Sequence, residues 1–417
     1  MITKFTCKNF RNVSCTGLEF ERINILIGPN NAGKSNFIRA LSFAANMVSG
    51  SRIEETGFLS ELKRNGWQEA ANKRNTDTSF KLIWDFLLEN RPVSYKIRAA
   101  VSKKRDDNYI VEEKLDGSEV NRRHYKPYNY FNCHLPDRGV GYFSEAGLSN
   151  VKNNRLTAKV NEYESVLLQM DNLFFENKNM FSNTFVRDDI RKVLELMRTY
   201  FRGFYSYSCT SFDIAEIRNI QDVHEDGTFL KKNGANFVNV ISALMESDSS
   251  FKDRYVEVLH LMQSDCEDIQ IQQVGGKIWM EIKLDGVWFP LSEVSDGTIH
   301  LLLLLLMLNL PEHGDISMLA VDEPEMNLHP AWQKKLAKQI LYCNSFRQCF
   351  VSTHSPDFLD EFTDSFRHGD VAVFVFDASS SIPIRKLNPH ELQEDLENWT
   401  LGDLYRIGDP VIGGWPQ

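Results

Sequence analysis

A mixed α/β fold is predicted: a buried parallel sheet, an antiparallel meander, and a mostly helical insertion. Three observations predict it. The apolar run Ile23-Asn24-Ile25-Leu26-Ile27 meets Gly28-Pro29-Asn30-Asn31-Ala32-Gly33-Lys34-Ser35, which opens into the helically spaced Asn36-Phe37-Ile38-Arg39-Ala40-Leu41. Two later apolar runs, Met318 to Val321 and Cys349 to Val351, end in acids and in a histidine, the form of buried parallel strands. Between them lie a β-rich stretch from Phe80 to about Leu115 and a polar, helically spaced stretch from about 150 to 202.

The first of these is the context that gives G-x-x-x-x-G-K-[ST] its meaning: strand, glycine-bounded loop, helix. A triphosphate is polyanionic and has to be met by several backbone N–H groups turned inward together, which needs glycines at the tight points. Gly28, Asn30, Asn31, Ala32, Gly33, Lys34, Ser35 and Asn36 are therefore the candidate nucleotide-binding residues. Lys34 is expected to reach the β- and γ-phosphates, and the Ser35 hydroxyl to ligate Mg²⁺.

Composition narrows the class. The chain has 417 residues, 42% hydrophobic and 25% charged, as in a soluble globular protein of two or three domains or one large domain with insertions. Its longest apolar run, Leu301 to Leu308, is far short of a membrane span, and Met1 to Cys7 is strand-like with no signal-peptide core. Seven cysteines without C-x-x-C spacing suit a reducing cytoplasm, which is the expected compartment. A net charge of −10 repels nucleic acid, so any such contact would need a local patch. Lys103-Lys104-Arg105 and Arg122-Arg123 are the candidates, and both read as solvated hairpin ends.

Taken in order, residues 2 to 27 read as two strands joined by Phe10-Arg11-Asn12-Val13 and feeding the phosphate loop. The Phe80 to Leu115 stretch reads as antiparallel strands broken by Asn-Arg-Pro, Asp-Asp-Asn and Asp-Gly. After it, Val166, Leu167, Met170, Leu173 and Phe174 form one helical stripe, and Ile190, Val193, Leu194, Leu196 and Met197 another. Tyr205 to Cys209 reads as a return strand, Phe237 to Met245 and Tyr255 to Met262 as helices, and Ile269 to Val274 and Ile278 to Lys283 as strands.

Asp322 and Glu323 close the run Met318-Leu319-Ala320-Val321. Asp322 is expected to hold the metal, and Glu323 to polarise the attacking water as general base. His354, at the end of Gln348-Cys349-Phe350-Val351-Ser352-Thr353, is where a neighbouring strand would deliver it beside the γ-phosphate. Leu291-Ser292-Glu293-Val294-Ser295-Asp296-Gly297-Thr298 precedes the apolar helix Ile299 to Leu308 and makes a second helix mouth with a serine and a glycine. One nucleotide needs one phosphate loop. The second mouth makes sense when Ser295 and Gly297 act in trans on the nucleotide of a neighbouring copy; an ordinary capped helix is the alternative.

GPNNAGKS, VSDGT, MLAVDEPE and STHSP, in this order, resemble the ABC-type ATPase heads of the RecF, SMC and OLD group, most closely the stand-alone AAA-labelled members found beside effectors in anti-phage defence systems such as Septu or PARIS. The resemblance covers about residues 1 to 50 and 203 to 417. It implies a P-loop NTPase, ABC-ATPase head divided as 1–148, a mostly helical insertion 149–264, and 265–417. It implies ATP and Mg²⁺ as ligands, Asp322 and Glu323 as the Walker B acids, His354 as the switch histidine, and Ser295 and Gly297 as signature residues contacting the partner's nucleotide. Glu323-Pro324-Glu325-Met326-Asn327-Leu328-His329-Pro330 resembles the group's EPE-x-x-LHP form of the D-loop, and Leu401-Gly402-Asp403-Leu404-Tyr405 with Gly413-Gly414 resembles its C-terminal tail.

Departures from the pattern matter as well. Asp296 stands where transporters carry glycine, and the Q-loop residue is either Gln68 or within Tyr142-Phe143-Ser144-Glu145. No paired heptad arms interrupt the head, and too little chain follows His354 for the nuclease domain that OLD enzymes append. The implied function is slow ATP hydrolysis by a homodimer, or a larger assembly of dimers, that switches a separate effector, a nuclease or toxin. A RecF-like clamp on duplex DNA is the alternative, and the nucleotide subunit of a membrane transporter fits worst.

Overall fold

The computed structural model describes residues 1–48, 58, 61–62, 70–72, 75, 77–102, 107–120, 127–134, 140–144, 155–159, 163–169, 184–223, 230–309, 316–377 and 383–414. The chain forms two compact units that interleave in sequence: residues 1–22, 30–204 and 376–386, and residues 23–29, 205–375 and 387–417.

The first unit is built on an eight-stranded sheet in the order Val13–Glu19, Ile2–Phe10, Ser79–Leu88, Arg91–Ser102, Asp107–Val120, Pro127–His134, Val140–Ser144, Arg155–Lys159. Every neighbouring pair is antiparallel, so the meander runs well past Leu115, where the sequence pattern fades. Ser79–Leu88 and Arg91–Ser102 are joined by Glu89 and Asn90, both left-handed at φ 45° and 63°, as a two-residue hairpin turn requires. Val93, Tyr95, Ile97 and Ala99 alternate inward. Phe5, Phe10, Phe80 and Trp84 of the sheet pack edge-on or tilted at 5.2–5.9 Å with one another and with Phe37 and Phe43 of helix Lys34–Val48, and the Trp84 indole donates to Leu41 O at 3.1 Å.

Helix Thr184–Arg202 buries Ile190, Val193, Leu194 and Met197 of the predicted stripe, leaves Leu196 only half-buried, and adds Phe201, whose ring lies 5.8 Å from Phe86. Of the earlier stripe, Val166 and Leu167 are buried, whereas Met170, Leu173 and Phe174 lie outside the described residues. Glu113, also buried, takes the Tyr95 hydroxyl at 2.7 Å, the Ser165 hydroxyl at 2.8 Å and the Val166 N–H at 2.8 Å; burial pushes its carboxyl above the usual range. Lys103-Lys104-Arg105 and Arg122-Arg123 lie outside the described residues.

The second unit holds the predicted sheet. Its strands stand in the order Phe204–Ser208, Met318–Asp322, Cys349–Ser352, Ile23–Ile27, Val371–Phe376. The last four are parallel neighbours, and Met318–Asp322, Cys349–Ser352 and Ile23–Ile27 are buried along their whole length, which is why they read as unbroken apolar runs. The exception is Asn24, whose buried amide donates to Cys349 O. The register sets Asp322 beside Ser352 and Ser352 beside Leu26, so the three strands end level with one another.

The apolar helix begins at Asp296, a turn earlier than the hydrophobic run, because the Ser295 side chain accepts the Thr298 N–H at 3.1 Å and caps it. From Thr298 to Leu308 every residue is buried, the signature of a helix surrounded by its own domain. Lys277–Leu284 pairs antiparallel with Cys266–Val274, Gln221–Asp222 and Val287–Pro290 in a smaller sheet. Among the described residues no helix is long and apolar enough to cross a membrane.

Candidate nucleotide site

The part of the phosphate loop that lies in the first unit is held by the turn between the first two strands. Asn12 Nδ2 donates to Asn31 O at 3.1 Å, Asn36 Nδ2 to Asn12 Oδ1 at 2.8 Å, and Arg11 Nη1 to Asn36 Oδ1 at 3.1 Å. Gly33 has φ +108°, a backbone conformation that favours glycine, and a Cβ there would press on the Asn12 amide at 3.1–3.3 Å. Asn31 is left-handed at φ 64°. Lys34 starts the helix and is only 5% exposed. The sequence reading treats Arg11 and Asn12 as a mere connection, because nothing local tells that this turn returns to the loop.

In the second unit the predicted chemistry gathers at the level strand ends. Asp322 is buried and accepts the Ser352 hydroxyl. Glu323 follows in a left-handed conformation, φ 56°, which costs a bulky residue on the order of 1–3 kcal/mol and is found where function holds it. Its N–H is fixed by Ser352 O at 3.1 Å and Ser352 Oγ at 3.2 Å. That turn aims the carboxylate across the neighbouring strand, where Oε1 stands 3.6 Å from His354 Nε2. Both side chains stay reachable, at 29% and 21% exposure. The His354 N–H donates to Glu325 Oε1 at 2.6 Å.

Gly297 lies against the D-loop segment of its own chain, where a Cβ would meet Asn327 O at 2.7 Å. Asn327, left-handed at φ 59°, also sets its amide 3.3 Å from His300 Nε2 on the same helix. Glycine here therefore has a reason within one copy, which the sequence reading assigns only to the partner's nucleotide. Ser295 is exposed and its hydroxyl is engaged as the cap. His329 caps helix Pro330–Tyr342 by accepting the Ala331 N–H at 3.2 Å. Gln333 on that helix accepts the Ser355 hydroxyl and donates to Leu328 O, joining the D-loop to the residues after His354. Of the Q-loop candidates, Gln68 and Glu145 lie outside the described residues, and Tyr142–Ser144 are described only as backbone in a strand.

The Ser35 hydroxyl and the Asp322 carboxylate are hard oxygen donors, the kind Mg²⁺ takes alongside phosphate and water, so they fit that ion.

The family described as "AAA domain, putative AbiEii toxin, Type IV TA system" matches residues 23–360. The chain belongs to it. It is 22% identical over 386 residues to Endonuclease GajA of Bacillus cereus (strain VD045), covering 86% of this chain and spanning 56% of the length of that relative. An SMC head crystallised with the C-winged helix domain of ScpA superposes with a TM-score of 0.51 at 12% identity, over 94% of this chain and 99% of that one. The fold is thus that of the SMC heads, and the chain is an ABC-type ATPase of the RecF, SMC and OLD group.

Proposed function

We propose that this ABC-type ATPase binds and slowly hydrolyses ATP, and that two copies close on each nucleotide to switch a separate effector. The observation that carries the reading is the Glu323–His354 pair, set by a left-handed glutamate between adjacent strand ends in register with the strand that enters the phosphate loop. Backbone N–H groups of Asn31 to Ser35 and the Lys34 ammonium bind the phosphates. Ser35 and Asp322 would hold Mg²⁺, which would supply positive charge to the phosphates. Glu323 accepts the proton of the attacking water, while His354, fixed through its own N–H by Glu325, orients the Glu323 carboxylate from Nε2.

Sharing the nucleotide gives Ser295 and Gly297 their second task. In the closed dimer this helix mouth meets the γ-phosphate bound to the other copy. A preference of about 100-fold for the closed state supplies nearly 3 kcal/mol, enough to move a balanced equilibrium almost entirely. Ser295→Arg is expected to keep nucleotide binding by the single chain but to block closure. Light scattering with a non-hydrolysable ATP analogue checks this: wild type doubles in mass and the variant does not. Equal masses for the two proteins would exclude the shared site.

The effector is proposed to be a nuclease or toxin. Likeness to a protein named as an endonuclease supports this. The insertion proposed at 149–264 carries no catalytic motif, so its polar helical part is the proposed contact for effector or trigger. Exchanging residues 150–202 between two related systems is expected to carry effector choice with it; unchanged choice would refute the assignment.

A further inference from the structure

Helix Asp296–Leu308 is buried along its whole length from Thr298 onward, and that stretch is apolar but for two residues. Thr298 is fully engaged at the cap, its N–H 3.1 Å and its hydroxyl 2.9 Å from the Ser295 hydroxyl. His300 is not. It is 3% exposed, with the Phe212 ring 5.6 Å from its own. Its Nε2 stands 3.3 Å from the Asn327 side-chain amide, while its Nδ1 is sealed from solvent and meets no hydrogen-bond partner among the described residues. Whichever tautomer is present, one ring nitrogen is therefore left over. A buried polar atom without a partner is costly, and a leucine here would avoid that cost altogether. Burial lowers the imidazole below its usual pKa, so it meets Asn327 as a neutral ring.

Asn327 closes a segment that opens at Glu323. The Met326 N–H donates to Glu323 O at 3.2 Å and the Leu328 N–H to Glu325 O at 3.0 Å, so the segment is wound into successive tight turns. Its two left-handed side-chain-bearing residues are Glu323 and Asn327, at φ 56° and 59°. The signature helix grips residue 327 twice. A Cβ on Gly297 would lie 2.7 Å from Asn327 O, and the Asn327 amide reaches His300, three residues further along the same face of the helix. The glycine permits the approach, and the imidazole gives it a direction.

We propose that His300 is a positioning residue, which fixes through Asn327 the turn that carries Glu323 and so sets where that carboxylate stands. No bond is made or broken at His300; it holds one end of a short wound segment while the proposed general base sits at the other. The helix mouth at Ser295 and Gly297 and the carboxylate of Glu323 then move as one body within a single copy. This rests on the reading of Glu323 as the base of an ATPase.

The test compares His300→Leu, Asn327→Gly and the double variant, measuring kcat for ATP hydrolysis, affinity for a fluorescent ATP analogue, thermal stability, and amide hydrogen exchange without nucleotide. His300→Leu removes the link and the leftover nitrogen together, and the freed Asn327 amide is exposed and turns to water. Asn327→Gly removes the amide but keeps a left-handed backbone that glycine adopts freely. Each is expected to lower kcat by about 5- to 10-fold, the worth of one hydrogen bond, with affinity for the analogue unchanged. The double variant should lose no more than either single one, since both cut the same link. The Tm of His300→Leu should equal or exceed that of wild type, and the Met326 and Leu328 amides should exchange faster in both variants. Wild-type kcat or unchanged exchange in either single variant, losses that multiply in the double variant, or a lowered Tm in His300→Leu would each overturn the proposal. Should His300→Leu fail to fold, Asn327→Gly still decides. If wild type does not hydrolyse ATP, the ATPase reading falls, while the exchange rates still judge the link between helix and turn.

Discussion

Glu323→Gln is expected to lower ATP turnover by about 10²- to 10⁴-fold, the range lost when a general base is neutralised, while nucleotide binding is retained. The amide has the shape of the carboxylate, keeps an oxygen toward His354 Nε2, and requires no change at the left-handed backbone of residue 323. What it lacks is the lone-pair basicity to take a proton from water. Substrate binding and closure precede that step, so the variant should accumulate as an ATP-bound dimer that outlives the wild-type one. Single-turnover hydrolysis and light scattering with ATP measure the two halves of this expectation. Turnover at the wild-type rate would remove Glu323 from the role of base and leave His354 without a partner to orient.

The parts of this site that were legible in the sequence are those whose signal is local. A buried parallel strand is covered on both faces and is therefore mostly apolar, so the end of the apolar run marks its tip; the positions of Gly28, Asp322 and the Ser352 to His354 stretch are readable for that reason. The start of the signature helix was misplaced by about a turn, because a serine cap recruits residues that hydrophobic spacing does not count. What stayed hidden depends on chains meeting from far apart. Asn12 supports Asn31 and Asn36 only because the first hairpin folds back onto the loop. Gly402 looks like any helix glycine until Asp360 and Pro356 stand where its Cβ would be. Glu325 was visible as a motif letter, yet its hold on the His354 N–H needs two strands in register.

Lys34→Ala is expected to lower ATP affinity at least 100-fold, to the point where nucleotide no longer stabilises the protein. The lysine opens the helix that follows the loop and is almost fully buried, so its ammonium acts in a poorly screened setting. In the proposed site its ammonium is the charge offered to the β- and γ-phosphates, and alanine offers none. Thermal unfolding separates this from a folding defect. A ligand at one hundred times its Kd stabilises the state it binds by about 2.7 kcal/mol, which for wild type should appear as a clear rise in Tm on adding ATP and Mg²⁺. The variant should unfold near the wild-type ligand-free temperature and show no rise at the same ATP concentration. Ser295→Arg offers the internal contrast, since it should keep the rise produced by the single chain while failing to dimerise. A Lys34→Ala protein whose Tm still climbs with ATP as wild type does would mean that the loop is not where the triphosphate binds, and the roles proposed for the acids and the histidine would fall with that result.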